Sequence, residues 1–283
     1  MKSSTNIKTD QLALLAIKAH VHSDLLATNR STATSICNWV GVACGSRHHR
    51  VFALDLFGMN LSGTIPPDMG NLSFVAFPDI GNNNFHGSLP IELANLRRLK
   101  YLILSNNNFN EKISSWFGSF SKLQNLSLNG NNFVGVIPSS WCFLSKLEIL
   151  SLDNNNLQGH IPVGIRNLSN FRFLYLHGYQ LSGSIPSSVS NISSLLEIVL
   201  RNNQLIGSIP SISLNMSSLQ VIDFTFNNLT GHISSNMFDG LPKLKGLYLS
   251  FNHLSGPISM SIFKCQELED LSLSHNHLEG TIP

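Results

Sequence analysis

From Val51 onward the apolar positions of this chain fall into one pattern, L-x-x-L-x-L-x-x-N-x-L-x-G-x-I-P, recurring every 24 residues. Copies begin at Val51, Val75, Leu99, Leu123, Leu147, Phe171, Leu195, Leu219, Leu244 and Leu268. Eight of the nine intervals are 24 residues and one is 25, the extra residue falling between Ser234 and Pro242. Within a copy, the alternation of Leu126-Ser127-Leu128 is the period-2 signature of a short strand with one buried face. The first, fourth and sixth positions (Leu123, Leu126, Leu128) point inward, a second apolar pair follows (Phe133, Ile137), and Leu144 closes the copy. Gly135 allows the bend between that pair and Pro138 ends the segment. One such unit cannot bury its apolar face alone, whereas a stack of them forms a continuous core. The pattern predicts an α/β repeat solenoid, curved, with a parallel sheet on its concave side. Ten rungs at a strand spacing of about 4.8 Å span about 45 Å.

The ninth position carries an amide: Asn83, Asn107, Asn131, Asn155, Asn203, Asn227, Asn252 and Asn276. A side chain that both donates and accepts satisfies the backbone groups freed where each coil turns inward. Ahead of the repeats, Thr9-Asp10 gives a helix-start signal before the amphipathic stretch Leu12–Lys18, and Cys37-Asn38-Trp39-Val40-Gly41-Val42-Ala43-Cys44 follows. Trp39 is the apolar plug expected over the otherwise open first coil.

These residues resemble a known family. The 24-residue spacing and the S-G-x-I-P element (Ser62–Pro66, Ser182–Pro186) look like the plant-type leucine-rich repeat. The cysteines flanking W-x-G-V are similar to the N-terminal cap of plant leucine-rich repeat receptor-like kinases. The resemblance covers residues 9–283. It implies a curved superhelix with a second, smaller sheet beside the I-P segment. It also implies a Cys37–Cys44 disulfide, hence an oxidising compartment; two buried free thiols are the alternative. The organisation expected is a disordered tail over 1–8, a cap over 9–50, and ten repeats over 51–283 with the last cut short. Met1 to Lys8 is polar and the first apolar stretch, Leu12–Ile17, is too short for a secretory signal. The reading is therefore of a mature form or fragment, or of a gene without its leader. In the resembled receptors further repeats, a membrane helix and a serine/threonine kinase domain follow. The abrupt finish, leaving Leu271, Leu273, Leu278 and Ile282 without a neighbour beyond them, is expected of a fragment.

Composition narrows the function. Charged residues make up 12% of the 283, about half the usual share, and the formal net charge is +2. That excludes a nucleic-acid footprint. Neutral polar residues fill the surface instead, with 31 Asn, 40 Ser and 9 Thr. No apolar run reaches the length needed to cross a bilayer. No phosphate loop, zinc-protease helix motif or nucleophile–base pair occurs, so neither catalytic residues nor a metal or cofactor is expected. His48-His49 between Arg47 and Arg50 reads as a solvated loop. Cys265 sits in an apolar column as a small core residue, and Cys142 has no assigned role.

Several copies depart from the pattern. Pro78 stands at an inward strand position and removes a donor and an apolar plug, at a cost of about 3 kcal/mol. Glu111 replaces the bend glycine and Ser114 the proline; Met59 and Tyr179 replace ladder asparagines. Either these distort a site usefully or the copies have decayed.

The fifth, seventh and eighth positions face the concavity. In repeats three to five they are bland: Ile103, Ser105 and Asn106, then Ser127, Asn129 and Gly130, then Ser151, Asp153 and Asn154. From repeat six they become Tyr175, His177, Val199, Arg201, Asp223, Phe226, Tyr248 and Phe251. Exposed aromatics beside an arginine suit a protein or peptide contact, and strand propensity alone also enriches aromatics. Eight N-x-[ST] sequons occur, at Asn29, Asn60, Asn71, Asn125, Asn167, Asn191, Asn215 and Asn228. Asn71, Asn167, Asn191 and Asn215 share one convex position suited to glycans. The favoured reading is the ligand-sensing ectodomain of a receptor-like serine/threonine kinase on the outer face of the plasma membrane. It would bind a peptide or microbial pattern together with a co-receptor of the same repeat class. A secreted inhibitor of a microbial cell-wall enzyme, and a truncated receptor copy, are the alternatives.

Overall fold

A computed structural model describes residues 7–22, 34–178, 180–210, 216–234 and 236–281. The ten strands of the repeats form one continuous parallel sheet, in sequence order, with the cap strand Val42–Cys44 pairing antiparallel at its near end. Registers advance by one repeat at each step, Leu126 opposite Leu150 and Leu150 opposite Leu174, so every inward leucine stacks on its equivalents. The inward positions, the second apolar pair and the closing column make one core running from cap to tenth rung. Between Phe85, Phe109 and Phe133 the core is a file of parallel rings, with centroids 6.4 and 5.9 Å apart. Short 3₁₀ turns such as Ser139–Phe143 and Ser187–Asn191 form the convex side.

The asparagine ladder is the polar spine of the core. Asn131 is buried; its Oδ1 accepts the Phe109 N–H at 3.1 Å, and its Nδ2 donates to Leu104 and Leu128 carbonyls at 2.9 and 3.0 Å. The same pattern recurs at Asn83, Asn107, Asn155, Asn203, Asn227, Asn252 and Asn276. Met59, in the first rung, packs half-buried against the core instead; Tyr179 lies outside the described residues.

The cap helix spans Ile7–His20 and so begins two residues before the expected start, inside what was read as a tail. The reason lies in Asp10. Its carboxylate does not mark the helix start but is fully buried against the first repeat, taking Arg50 Nε and Nη2 at 2.7 and 2.6 Å and the Val51 N–H at 2.9 Å. Trp39 is buried, its indole donating to Thr34, and Cys37 and Cys44 are joined by a disulfide with Cα atoms 5.5 Å apart. Cys142 and Cys265 are buried free thiols, and burial pushes both above the ordinary thiol value.

Two departures are visible in the backbone. Pro78 shortens the pairing of its strand with the next to the single pair Asp79–Ile103, as a missing N–H requires. Its ring is nevertheless buried between the rungs, so the expected loss of an apolar plug does not occur. On the convex side the bend glycines adopt positive φ, as at Gly87 (79°) and Gly135 (89°). Glu111 stands in place of such a glycine, and the second sheet is reduced there to one bridge between Lys112 and Val134; it is reduced in the same way at Gly159–Leu181, where the glycines are kept. A cleft of about 350 Å³ opens beside the Lys112–Val134 bridge, lined by Glu111, Lys112, Ser114 and Phe117.

Candidate functional site

The eighth position of a rung is where the chain leaves the strand, and in every rung but the sixth, where Gly178 stands, it holds a left-handed residue. Asn82, Asn106 and Asn154 fill it at φ 53°, and Asn202 at 55°. Asparagine tolerates this conformation. Phe226, Phe251 and His275 adopt it as well, at φ 55°, 56° and 54°. A bulky side chain in this region costs about 1–2 kcal/mol. The three rings stack on adjacent rungs with centroids 4.1 Å apart in both pairs and interplanar angles of 10° and 13°. Stacking offsets part of that cost, yet Phe226 remains 48% exposed and Phe251 39%.

Beside the stack lies a concave cleft of about 420 Å³ lined by Arg201, Asn202, Asp223, Thr225, Phe226, Tyr248 and Ser272. Four of the eight concave residues singled out in the sequence therefore meet around one hollow. Arg201 Nε stands 3.9 Å from Asp223 Oδ2, a loose pair that leaves the guanidinium free to donate outward. The Tyr248 hydroxyl donates to Asp270 Oδ2 at 2.9 Å, and this bond is the main reason its ionisation is pushed up.

Tyr175, His177 and Val199 form the cleft's upstream shoulder. Tyr175 donates to Glu197 Oε2 at 2.8 Å; burial, then that carboxylate, raises its ionisation well above the ordinary phenol. Val199 is half-buried between them. His177 Nε2 is 3.5 Å from Asp153 Oδ2, while its Nδ1 is buried without a hydrogen-bond partner. Burial lowers the imidazole's proton affinity first; Asp153 and Asp223 oppose this and Arg201 adds to it. Phe251 shares the ninth rung with Tyr248 and stands behind Phe226 in the stack, outside the cleft lining.

Some positions behave otherwise than expected. Ser151 and Asp153, read as exposed, are buried, Ser151 Oγ donating to Asp153 Oδ1 at 2.6 Å beneath His177. The carboxylates that hold the two tyrosines, Glu197 and Asp270, occupy the third strand position and were missed. Strand alternation places positions three and five on one face, so that signal was present. The same row holds an upstream aromatic group, Phe77 and Tyr101, packed edge-to-face at 4.9 Å. Asn71, Asn167 and Asn191 are exposed at the ends of convex 3₁₀ turns; Asn215 and Asn29 lie outside the described residues. His48 is exposed, with its ring edge-on to Phe74. No helix among the described residues is long and apolar enough to cross a membrane, and no group of three metal-ligating side chains occurs among them.

Comparison with known proteins agrees with the architecture. Family models described as "Leucine rich repeat" match residues 121–181, 187–254, 98–120 and 267–283, and "Leucine rich repeat N-terminal domain" matches 7–45. The chain is 40% identical over 82 residues to the LRR receptor-like serine/threonine-protein kinase EFR of Arabidopsis thaliana, covering 27% of this chain and 8% of that protein. It is 33% identical over 66 residues to a polygalacturonase inhibitor of Vitis vinifera, covering 23% and 20%. This chain thus spans a small part of the receptor kinases it matches. Among solved structures it superimposes on PEPR1 in complex with AtPEP1 at 30% identity and TM-score 0.84, covering 98% of this chain and 43% of that one. The Arabidopsis receptor kinase HAESA with the peptide hormone IDA and the co-receptor SERK1 matches at 29% identity and TM-score 0.70, covering 95% and 54%. A plant ice-binding protein matches at 27% identity and TM-score 0.89, covering 99% and 90%. The described residues form cap and repeats throughout. The chain belongs to the leucine-rich repeat family, in the capped form found in the ectodomains of plant receptor-like kinases.

Proposed function

We propose that this chain is the ligand-sensing part of a plant receptor-like serine/threonine kinase, displayed outside the plasma membrane. Its concave face between rungs six and nine binds a peptide or microbial pattern, and a co-receptor of the same repeat class joins the complex. The observation that carries this reading is the pair Phe226 and Phe251, held exposed in a backbone conformation that asparagine fills elsewhere. Strain of that kind is retained where a site requires it. Arg201 offers a charged donor beside an apolar stack, the pairing on which peptide anchors depend. The receptor complexes among the structural matches support a peptide ligand. Glycans on Asn71, Asn167, Asn191 and Asn215 belong to the same proposal. The enzyme-inhibitor alternative rests on a shorter match at lower identity.

The test is to pan a displayed random-peptide library on the wild-type chain and to re-test the enriched peptides on a Tyr175→Ala, Arg201→Ala, Tyr248→Ala triple variant. The reading expects at least about a tenfold loss of affinity, as truncating a contact cluster produces. Peptides that bind both proteins equally would remove the concave face from consideration.

A second reading, ice binding, has one observation in its favour. The tenth position carries an exposed amide in eight successive rungs: Asn60, Asn84, Asn108, Asn132, Asn156, Gln180, Gln204 and Asn228. Such a regular polar column is the kind of surface an ordered lattice can meet, and the ice-binding match covers nearly all of both chains. Thermal hysteresis and ice-crystal habit decide it: unshaped crystals at high protein concentration end this reading.

A further inference from the structure

The net charge of +2 conceals an uneven distribution. On the flank where each coil enters its strand, from the second rung to the sixth, stand Arg97, Arg98, Lys100, Lys122, Lys146 and Arg172, all exposed. The only carboxylate at the same three repeat positions over that span is Glu148. At the cap end of the column the Arg98 guanidinium lies 3.9 Å from the centroid of the Phe74 ring, its equivalent one repeat earlier. Lys100 and Arg172 also sit over rings, at 6.0 Å from Phe77 and 5.6 Å from Phe173. These contacts pin several of the cations before anything binds.

Next to the cation column runs a row of aromatics, exposed Phe52 (46%) and Tyr101 (41%) with half-buried Phe77 between them, joined edge-to-face at 5.0 and 4.9 Å. Neither row is needed by the core, and neither touches the cleft around Arg201. Aromatic and cationic side chains side by side are the composition of a protein-binding patch. A sugar polymer stacks on open ring faces; here Phe77 turns its face to Lys100 and packs against the ring edges of its neighbours. A planar bilayer cannot follow a row set into the hollow side of a curved sheet.

We propose that this flank docks an acidic polypeptide segment that also carries aromatic or apolar side chains, independently of the ligand in the concave cleft. Carboxylates of the partner meet the cation column and its apolar side chains lie against Phe52, Phe77 and Tyr101. The partner thus approaches from the cap side, leaving the cleft open for a ligand to bind at the same time.

The experiment measures binding of the full chain to a random glutamate–tyrosine copolymer, with polyglutamate, polygalacturonate and phosphatidylserine-containing phosphatidylcholine vesicles as comparison probes. The proposal expects the copolymer to bind best and binding to weaken steeply as sodium chloride rises. Arg98→Glu, Lys122→Glu and Lys146→Glu together should lower affinity by at least about tenfold, as reversing fully exposed complementary charges does. Phe77→Ala with Tyr101→Ala should erase the advantage of the copolymer over polyglutamate. Arg201→Ala, in the separate concave cleft, should leave copolymer binding unchanged, and an unaltered melting curve confirms that each variant is folded. Equal binding by the charge-reversed variant, preference for polygalacturonate or vesicles, or loss on Arg201→Ala would each overturn the proposal.

Discussion

The concave face divides into two stretches built on the same backbone. In rungs two to five the left-handed eighth position holds Asn82, Asn106, Gly130 and Asn154, the residues that conformation favours. In rungs eight to ten it holds Phe226, Phe251 and His275 at φ values within three degrees of the asparagines, 54–56° against 53°. Beneath both stretches the asparagine ladder makes the same bonds, Asn131 to the Phe109 N–H at 3.1 Å and Asn227 to the Leu205 N–H at 3.1 Å. The framework is therefore indifferent to what stands at position eight. Where the side chain changes and the scaffold does not, the change belongs to the surface and to what meets it.

The largest effect should come from the framework and should be equal in the two stretches. Asn131→Ala and Asn227→Ala each strand buried backbone groups, and each should cost at least about 3 kcal/mol in chemical denaturation. A cheap loss at Asn227 alone would show that the downstream ladder is slack and break the comparison. Next, Cys37→Ser with Cys44→Ser opens the short cap loop and should cost about 2 kcal/mol. Because the cap seals the upstream end, limited proteolysis of this variant should begin in the first rungs rather than at Phe226.

Smaller effects depend on pH and read rung six, between the two stretches, and rung nine. His177 resists protonation because it is buried, its folded value lying below the ordinary 6.5. Above pH 6.5 folded and unfolded chains are both neutral there. As pH falls through that value the unfolded chain takes up the proton first, so stability declines until the folded ring also titrates. His177→Asn should remove that share of the decline, read as the difference between the two stability–pH curves. Identical curves would mean the ring is solvated. Above pH 10, Tyr175 and Tyr248 should ionise later than free phenol in an ultraviolet titration, and Tyr175→Phe should abolish the latest component.

Much of this was legible in the sequence because a 24-residue period repeats its own evidence ten times. The inward leucines, the amide ladder and the cap plug Trp39 each follow from the chemistry their positions demand. The concave residues around the cleft were placed by counting positions alone. What escaped was contact between rungs. Asp10 reads locally as a helix start and is used instead by Arg50, forty residues later. Asp153 counts as a surface position and is covered by His177 from the next rung. The stack of Phe226, Phe251 and His275 is visible only once the backbone angle is known, since the sequence shows three residues 24 or 25 apart. Pro78 was expected to leave a hole, but its own ring fills the space.

The central claim is that Phe226 and Phe251 serve a partner and not the fold. Its most direct test is the unfolding free energy of a Phe226→Asn, Phe251→Asn double variant, which copies the upstream stretch into the downstream one. Losing the two ring contacts costs about 1 kcal/mol each, and relieving each of the two left-handed phenylalanines returns about as much. The account predicts stability within about 1 kcal/mol of the wild type. A loss of about 3 kcal/mol or more, in the range of core truncations, would make the stack a structural element and contradict it.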